Sequence, residues 1–266
     1  MIAEAQDFLV ETRSLNDLTA GMEAGDFTRP TAFKGWSTDD VLQHLHHYNI
    51  LADLSMFDPD RFRVEYGRAK GLRDEGLGMV GASRQILGEL TGHALRDALI
   101  AQAEAMAPRW LEADPATRVE WAGPSMSARS SISARLMETW AHGQEVWDLL
   151  GRVREDGDRI RSIAVLGVNT FGWTFKTRGM EPPGERPTVR LVAPSGEEWA
   201  FAGGEDVVEG SATEFCQVVT QTRNIADVGL TVRGPVAEAW MANAQCFAGP
   251  PNPPPAPGTR GPGVHA

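Results

Sequence analysis

The chain has 266 residues, 42% of them hydrophobic, which is enough for one large domain or two ordinary ones with a buried core. Its formal net charge is −11 and its pI about 5.0, so it should repel phosphate backbones and anionic lipid, and we expect no nucleic-acid and no membrane partner. The sequence contains no apolar run of about eighteen residues and no segment that resembles a signal peptide, so we expect a cytoplasmic protein.

The first part of the chain is predicted to be helical, because apolar side chains recur there at three- and four-residue spacing between loops rich in proline and glycine. Ser37, followed by acidic residues, is a favourable start for the second helix. The charged, glycine-rich segment 58–80 is expected to be an irregular connection with at most one short helix. Four long helices of this kind indicate a bundle. They are predicted at residues 2–24, 38–57, 83–111 and 131–150.

The pattern changes after residue 152, where a smaller α+β domain is predicted. "TVRLVAP" and "EEWAFAG" alternate apolar and polar side chains around a turn, which is typical of a β-hairpin. The sequence therefore indicates an α+β protein with domains at 1–152 and 153–250. Residues 251–266 are so rich in proline and glycine that we expect a disordered tail. Further helices are predicted at 158–180, 211–224 and 235–249, and a strand at 229–234.

The two cysteines, Cys216 and Cys246, lie thirty positions apart and form no C-x-x-C pair. A thiolate metal site would need more cysteines, and a disulfide would need an oxidising compartment. We therefore expect two buried or half-buried free thiols, with a reactive thiol as the alternative.

Glu138 and His142 are four positions apart in the fourth predicted helix, and such a pair shares one helical face. Glu145 falls on the same side, while Trp140 and other apolar residues line the opposite side. The pair could therefore supply two of the ligands of a metal site. The pattern equally fits a charged stripe that faces solvent.

His44 falls on the apolar face of the second helix, so we expect it to be buried, whereas His46 points away and should be solvated, with His47 at the edge. A buried imidazole needs partners, and it could simply be hydrogen-bonded in the core. Alternatively, His44 could join Glu138 and His142 to give the two nitrogens and one carboxylate of a catalytic zinc site, in which the fourth position stays open.

The sequence resembles a known family at several points. It is similar to the DinB-like, mycothiol-dependent maleylpyruvate isomerase superfamily, and more closely to an actinobacterial subfamily described only as metal-binding. The likeness runs from about residue 5 to residue 251. The motifs that carry it are "GWSTDDVLQHL", "SARLMETWAHGQEVWDLLG", "LVAPSGEEW", "EFCQVVTQTRN" and "AQCFAGPP".

The resemblance implies an N-terminal four-helix bundle that binds a divalent metal, usually zinc, through His44, Glu138 and His142. It also implies a C-terminal domain similar to the sterol-carrier type, and mycothiol as a co-substrate that adds to a conjugated keto acid. Arg223 and Arg135 would then face the thiol or a substrate carboxylate, although each could instead be a surface arginine in a salt bridge.

Our leading hypothesis is a metal-dependent enzyme that isomerises a small organic substrate, or transfers a thiol to it, by thiol addition and elimination. A thiol-independent lyase, hydrolase or cyclase that tailors a natural product is the first alternative, with Glu145, His47 or Tyr48 as proton shuttles. A non-catalytic protein that binds a metal or a small ligand is the second. We expect a monomer or homodimer, and His93 as an ordinary surface residue.

Overall fold

The computed structural model describes residues 1–88, 90–121 and 125–264. This part of the chain divides into two compact units, residues 1–149 and 150–264. The first unit is almost entirely helical and the second combines helices with a mixed sheet, so the predicted α+β class is confirmed. None of the described helices combines the length and the apolar character that a membrane span requires.

The first unit is built on four long helices, as predicted. α1 packs against α5 and α6, and α2 packs against the same two helices, so the four surround one core. Two shorter helices, α3 and α4, also pack against α2. The elements of this unit are α1 (Glu4–Thr19), α2 (Thr38–Phe57), α3 (Pro59–Leu72), α4 (Gly78–Leu87), α5 (Gly92–Glu112) and α6 (Ala128–Leu149), with the short strands β1 (Arg118–Val119) and β2 (Met126–Ser127).

α2 lies at the centre of this unit. It begins with a capping box, in which the Ser37 hydroxyl accepts from the Asp40 N–H and the Asp40 carboxylate accepts from the Ser37 N–H. All residues from Thr38 to Asn49 are buried, because α3, α4, α5 and α6 all contact this helix. Polar side chains on every side of its first three turns therefore point into the protein. The prediction that His46 is solvated is wrong for this reason.

The segment 58–80 is helical, which corrects the prediction of an irregular connection. Asp58 caps α3 by accepting from a backbone N–H, and Pro59 occupies the first turn, where its missing N–H costs nothing. The charged residues of this helix face solvent while Phe62 and Ala69 are buried, so the charge run is the outer side of an amphipathic helix. A π-turn, Arg73–Leu77, leads into α4.

The predicted third helix, 83–111, is interrupted in the structure. α4 ends at Leu87 and α5 begins at Gly92. Gly88 and Gly92 have φ values of 70° and 58°, and this left-handed backbone cannot continue a right-handed helix. The two glycines thus separate a short helix from a long one.

The second unit contains a four-stranded sheet in the order β4-β3-β5-β6, in which β3 and β5 are parallel and the other pairs antiparallel. The predicted hairpin is β3 and β4, whereas β5 was not predicted. The predicted helix 158–180 is divided at Thr170. The elements are α7 (Arg161–Asn169), α8 (Phe171–Lys176), β3 (Pro187–Val192), β4 (Glu198–Phe201), β5 (Gly204–Ser211), α9 (Ala212–Val219), β6 (Thr231–Arg233) and α10 (Pro235–Met241).

The residues after 250 have no helix or strand as far as residue 264, but they are tied to the second unit by hydrogen bonds. The Asn252 side chain donates to the Gln221 side chain at 2.7 Å, and the Gly258 N–H donates to the Asp227 carboxylate. This differs from the disorder that the composition predicts, because polar side chains of the folded unit satisfy a backbone that makes no regular structure. Both cysteines are buried free thiols, as expected.

Candidate metal centre

Three side chains from two helices meet inside the first unit. His44 Nε2 on α2 lies 3.2 Å from Glu138 Oε2 on α6, and His142 Nε2, one turn further along α6, lies 3.3 Å from the same oxygen. One ligand atom from each residue falls within 4.8 Å of the other two. The structure thus brings together the three side chains that the sequence singled out.

Two of the three ligand separations in this cluster are those expected around a tetrahedral cation, and the third, between the two imidazoles, is within 4.8 Å. Zinc binds imidazole nitrogen and carboxylate oxygen at about 2.0–2.2 Å, so two ligands in a tetrahedral site are about 3.4 Å apart. The observed separations of 3.2 and 3.3 Å are close to that value. Two nitrogens and one carboxylate oxygen also make up the ligand set of catalytic zinc sites.

The cluster is mostly buried, but two of its three side chains are partly exposed. The His44 side chain is 5% exposed, whereas the side chains of His142 and Glu138 are 14% and 23% exposed. The exposed part of the cluster is therefore on its α6 side.

Aromatic side chains hold the two imidazoles in place. Trp36 stacks on His142 with ring centroids 5.4 Å apart and an interplanar angle of 12°, and Phe33 meets His142 edge-on at 5.1 Å. Tyr48 lies against His44 at 4.7 Å. Trp36 and Phe33 belong to the loop before α2, which closes on itself through a 2.7 Å hydrogen bond from the Thr31 N–H to the Trp36 carbonyl. These contacts restrict how the two imidazole rings can turn.

The protonation states also suit a cation. Burial lowers the pKa of His44 to about 4, although the hydrogen bond to Glu138 opposes this shift, so the imidazole is neutral near pH 7. Burial raises the pKa of Glu138, but hydrogen bonds from His142 and His44 outweigh that effect and hold the pKa well below its usual range. His44 is therefore neutral and Glu138 ionised, which are the forms that bind metals.

The predicted proton shuttles lie close to this cluster in sequence and are interior. The Nδ1 atom of His47 lies 2.9 Å from the Ser83 hydroxyl, and Tyr48 accepts a 2.7 Å hydrogen bond from Arg73. Glu145 is 2% exposed, one turn after His142. Because Glu145 is buried and Glu138 and His142 are mostly buried, the reading of this side of α6 as a charged stripe in solvent is wrong.

The two predicted arginines lie in different units. Arg135 is on α6, 3% exposed, and donates from Nε to the Asn49 carboxamide oxygen at 2.8 Å. Arg223 is in the second unit, 8% exposed, and donates to the Thr222 carbonyl at 2.7 Å. Neither is the exposed surface arginine of the alternative reading.

Two further histidines of the described residues, His46 and His93, do not belong to the cluster. His46 is buried on α2, and its Nδ1 lies 2.7 Å from the Gln102 side chain. His93 is exposed, as predicted, and its Nε2 lies 3.0 Å from the Met22 carbonyl oxygen.

Some residues around the cluster were not found from the sequence. Asn49, Arg73 and Phe33 contribute to its surroundings, yet only Asn49 carries a signal, as a lone amide between the apolar positions of α2. Trp36 was noted only as part of a motif.

The fold and the cluster together define a class: a helical bundle with an interior His–Glu–His set, followed by an α+β unit. The sequence model of the mycothiol maleylpyruvate isomerase N-terminal domain matches residues 8–147. The chain belongs to this family, and the resemblance seen in its motifs is confirmed.

Relatives cover most of the chain. An uncharacterized protein of Mycobacterium tuberculosis, present in two strains, is 34% identical over 247 residues, which is 92% of this chain and 95% of the relative. A crystal structure of the mycothiol-dependent maleylpyruvate isomerase, 18% identical, has a TM-score of 0.56 and covers 87% of this chain and 93% of its own. A mutant of that isomerase, 17% identical, gives 0.52 over 81% and 86%. At these identities the two structures show a shared fold.

Proposed function

We propose that the protein is a metal-dependent enzyme that isomerises a small organic substrate, or transfers a thiol to it, by thiol addition and elimination. Mycothiol is the proposed co-substrate and Zn²⁺ the proposed metal. The observation that carries this proposal is the convergence of His44, Glu138 and His142 on one point. Membership of the family, whose solved structures are described as mycothiol-dependent maleylpyruvate isomerase, supports it.

The number of ligands favours a catalytic metal over a structural one. Structural zinc sites close all four positions with protein ligands, whereas catalytic sites keep one open. Among the described residues, the side chains that lie close enough together to hold a metal are these three. When bound, the metal would supply a Lewis acid that lowers the pKa of a thiol or water at the open position.

The residues around the cluster have assignable roles in this reaction. Addition of a thiol to a conjugated double bond turns it into a single bond, about which the substrate can rotate before the thiol leaves. The addition moves charge onto the substrate carbonyl, and a proton donor nearby would stabilise it. Burial raises the pKa of Tyr48, so its hydroxyl stays protonated beside His44. Tyr48 is therefore the proposed proton donor, held in place by Arg73.

His47 and Glu145 remain candidates for moving protons within the site. The His47 ring is fixed by Ser83 at Nδ1, and its Nε2 is buried with no hydrogen-bond partner among the described residues. We propose that this nitrogen exchanges a proton with the bound substrate.

Turnover by purified, zinc-loaded protein tests the proposal. Maleylpyruvate and other conjugated keto acids would be supplied with and without mycothiol, and product would be followed by chromatography. We expect turnover to require both zinc and mycothiol, and Glu138→Gln to abolish it. Turnover that is unaffected by the thiol would refute the addition–elimination reaction and favour the thiol-independent lyase, hydrolase or cyclase. Ligand binding without turnover, unchanged in His142→Ala, would favour a non-catalytic protein.

A further inference from the structure

The interior of the first unit contains an incompletely paired arginine. Arg135 is 3% exposed and Asn49 is fully buried, and they are joined by the 2.8 Å hydrogen bond from Arg135 Nε to Asn49 Oδ1. Arg135 Nη2 and Asn49 Nδ2 are both buried without a hydrogen-bond partner in the described part of the chain. Since the Asn49 oxygen accepts from Arg135, its amide nitrogen must be the unpaired atom.

Two buried donors without hydrogen-bond acceptors destabilise the folded protein. The cost is greater when the donor group is charged. A guanidinium stays protonated in proteins, so it cannot avoid this cost by losing a proton. A group that accepts hydrogen bonds from both donors would remove this cost.

The charges nearby indicate the sign of that group. Arg135 precedes Glu138 by three positions on α6, so their Cβ atoms are about 5–6 Å apart. The Glu138 Oε2 atom, however, already lies against the Nε2 atoms of both His44 and His142. A divalent cation at the cluster would more than neutralise Glu138, and the charge of Arg135 adds to the excess. The missing group is therefore an anion.

The arrangement of the two donors indicates which kind of anion they would bind. A guanidinium N–H and a carboxamide N–H offer separate donors to two oxygen atoms, which is how carboxylates are recognised. A thiolate presents one large, soft sulfur atom, and a metal such as zinc is the better partner for it. The thiol and the carboxylate would thus occupy neighbouring positions.

We propose that Arg135 and Asn49 form a carboxylate subsite beside the metal cluster, and that this subsite orients the carboxylate of an acidic substrate. The inference rests on the proposed function for the identity of the ligand. It adds Asn49 as a substrate-binding residue, and it assigns Arg135 to the substrate and not to the thiol.

Titration of the full-length protein with maleate, followed by calorimetry, tests the subsite. Maleate would be titrated into zinc-loaded and metal-free samples, and mycothiol into the zinc-loaded sample. Arg135→Met removes the charge, while Asn49→Asp places a carboxylate inside the subsite that pairs with Arg135 and blocks it. Arg129→Met is the matched control, because Arg129 lies on the same helix, is half exposed and pairs with Glu4.

We expect Arg135→Met and Asn49→Asp to weaken maleate binding at least tenfold in both forms of the protein, whereas mycothiol affinity changes less than about twofold. Arg129→Met should bind maleate as the wild type does. Circular dichroism and zinc content, about one per chain, would show that each variant is folded and loaded.

Two results would overturn the subsite. One is maleate binding that is absent in the wild type or equally tight in Arg135→Met; the other is a variant that loses mycothiol and keeps maleate. If the proposed function is wrong but the subsite is right, a different result is expected. In that case the wild type takes up no zinc or turns nothing over, while maleate binding by the metal-free protein still depends on Arg135.

Discussion

Gly143 is a position at which a substitution should stabilise the first unit. It lies within α6 directly after His142, and a Cβ atom placed there would be 3.8 Å from Cδ1 and 4.0 Å from Cδ2 of Leu15 on α1. These are ordinary van der Waals distances. Gly143→Ala therefore adds a methyl group to the α1–α6 interface without displacing a neighbour.

The expected gain can be worked out from two contributions. Alanine in place of glycine within a helix is worth about 0.5–1 kcal/mol. Burying one more methyl group adds up to about 0.8 kcal/mol. The free energy of unfolding should therefore rise by about 0.5–1.8 kcal/mol, which corresponds to a rise in Tm of roughly 1–7 °C for a unit of this size.

Urea denaturation followed by circular dichroism measures this change, with Gly167→Ala as the opposite case. At Gly167 a Cβ atom would lie 2.8 Å from Val219 Cγ2 and 3.0 Å from Phe215 Cε1. Overpacking of this kind costs about 1–3 kcal/mol, so this variant should be less stable than the wild type. Gly143→Ala should keep its zinc affinity, because the added methyl faces Leu15. A Gly143→Ala protein that unfolds more easily would refute the described packing of α1 against α6.

Three further predictions concern the cluster and the thiols. Glu138→Gln removes the only charged ligand, so zinc affinity should fall by at least about a hundredfold in competition with a chelating dye; an unchanged affinity would contradict its role. Trp36→Ala removes the ring that stacks on His142, and the loss of aromatic contacts worth about 0.5–1.5 kcal/mol each should weaken zinc binding roughly tenfold. Burial raises the pKa of Cys216 well above its usual range, so iodoacetamide at pH 8 should alkylate it only after unfolding; rapid labelling of native protein, read by mass spectrometry, would show that the thiol is accessible.

Much of the helical unit could be predicted because its helices are amphipathic where they face solvent. Periodicity located the four long helices, and His44 was correctly placed among apolar neighbours on the inner face of α2. The spacing of Glu138 and His142 put both on one side of α6. The packing of α2 against α6 brings His44 close to these two side chains.

The same reasoning failed where a helix is buried on all sides. His46 was assigned to solvent because it lies opposite His44, yet α5 covers that side and the Gln102 side chain meets the imidazole. On α6, Gln144 and Asp148 are likewise buried and bond to each other at 3.0 Å. Polar residues that satisfy one another inside a core cannot be told from solvated ones by periodicity.

The pairing of Arg135 with Asn49 in the proposed carboxylate subsite could not be predicted from the sequence for a different reason. Asn49 and Arg135 are 86 positions apart, and Tyr48 and Arg73 are 25 apart. No local pattern links such pairs, because only the packing of α2 against α6 and the turn after α3 brings them together.

The central claim is that His44, Glu138 and His142 hold a divalent metal, and two matched histidine variants test it most directly. His44 and His46 are both buried on α2 and both hydrogen-bonded, so replacing either by alanine removes the same group from the same helix. Zinc content and affinity would be measured by mass spectrometry and chelator competition. We predict about one tightly bound zinc in the wild type and in His46→Ala, and loss of tight binding in His44→Ala. Equal zinc binding by the two variants, or none by the wild type, would contradict the account.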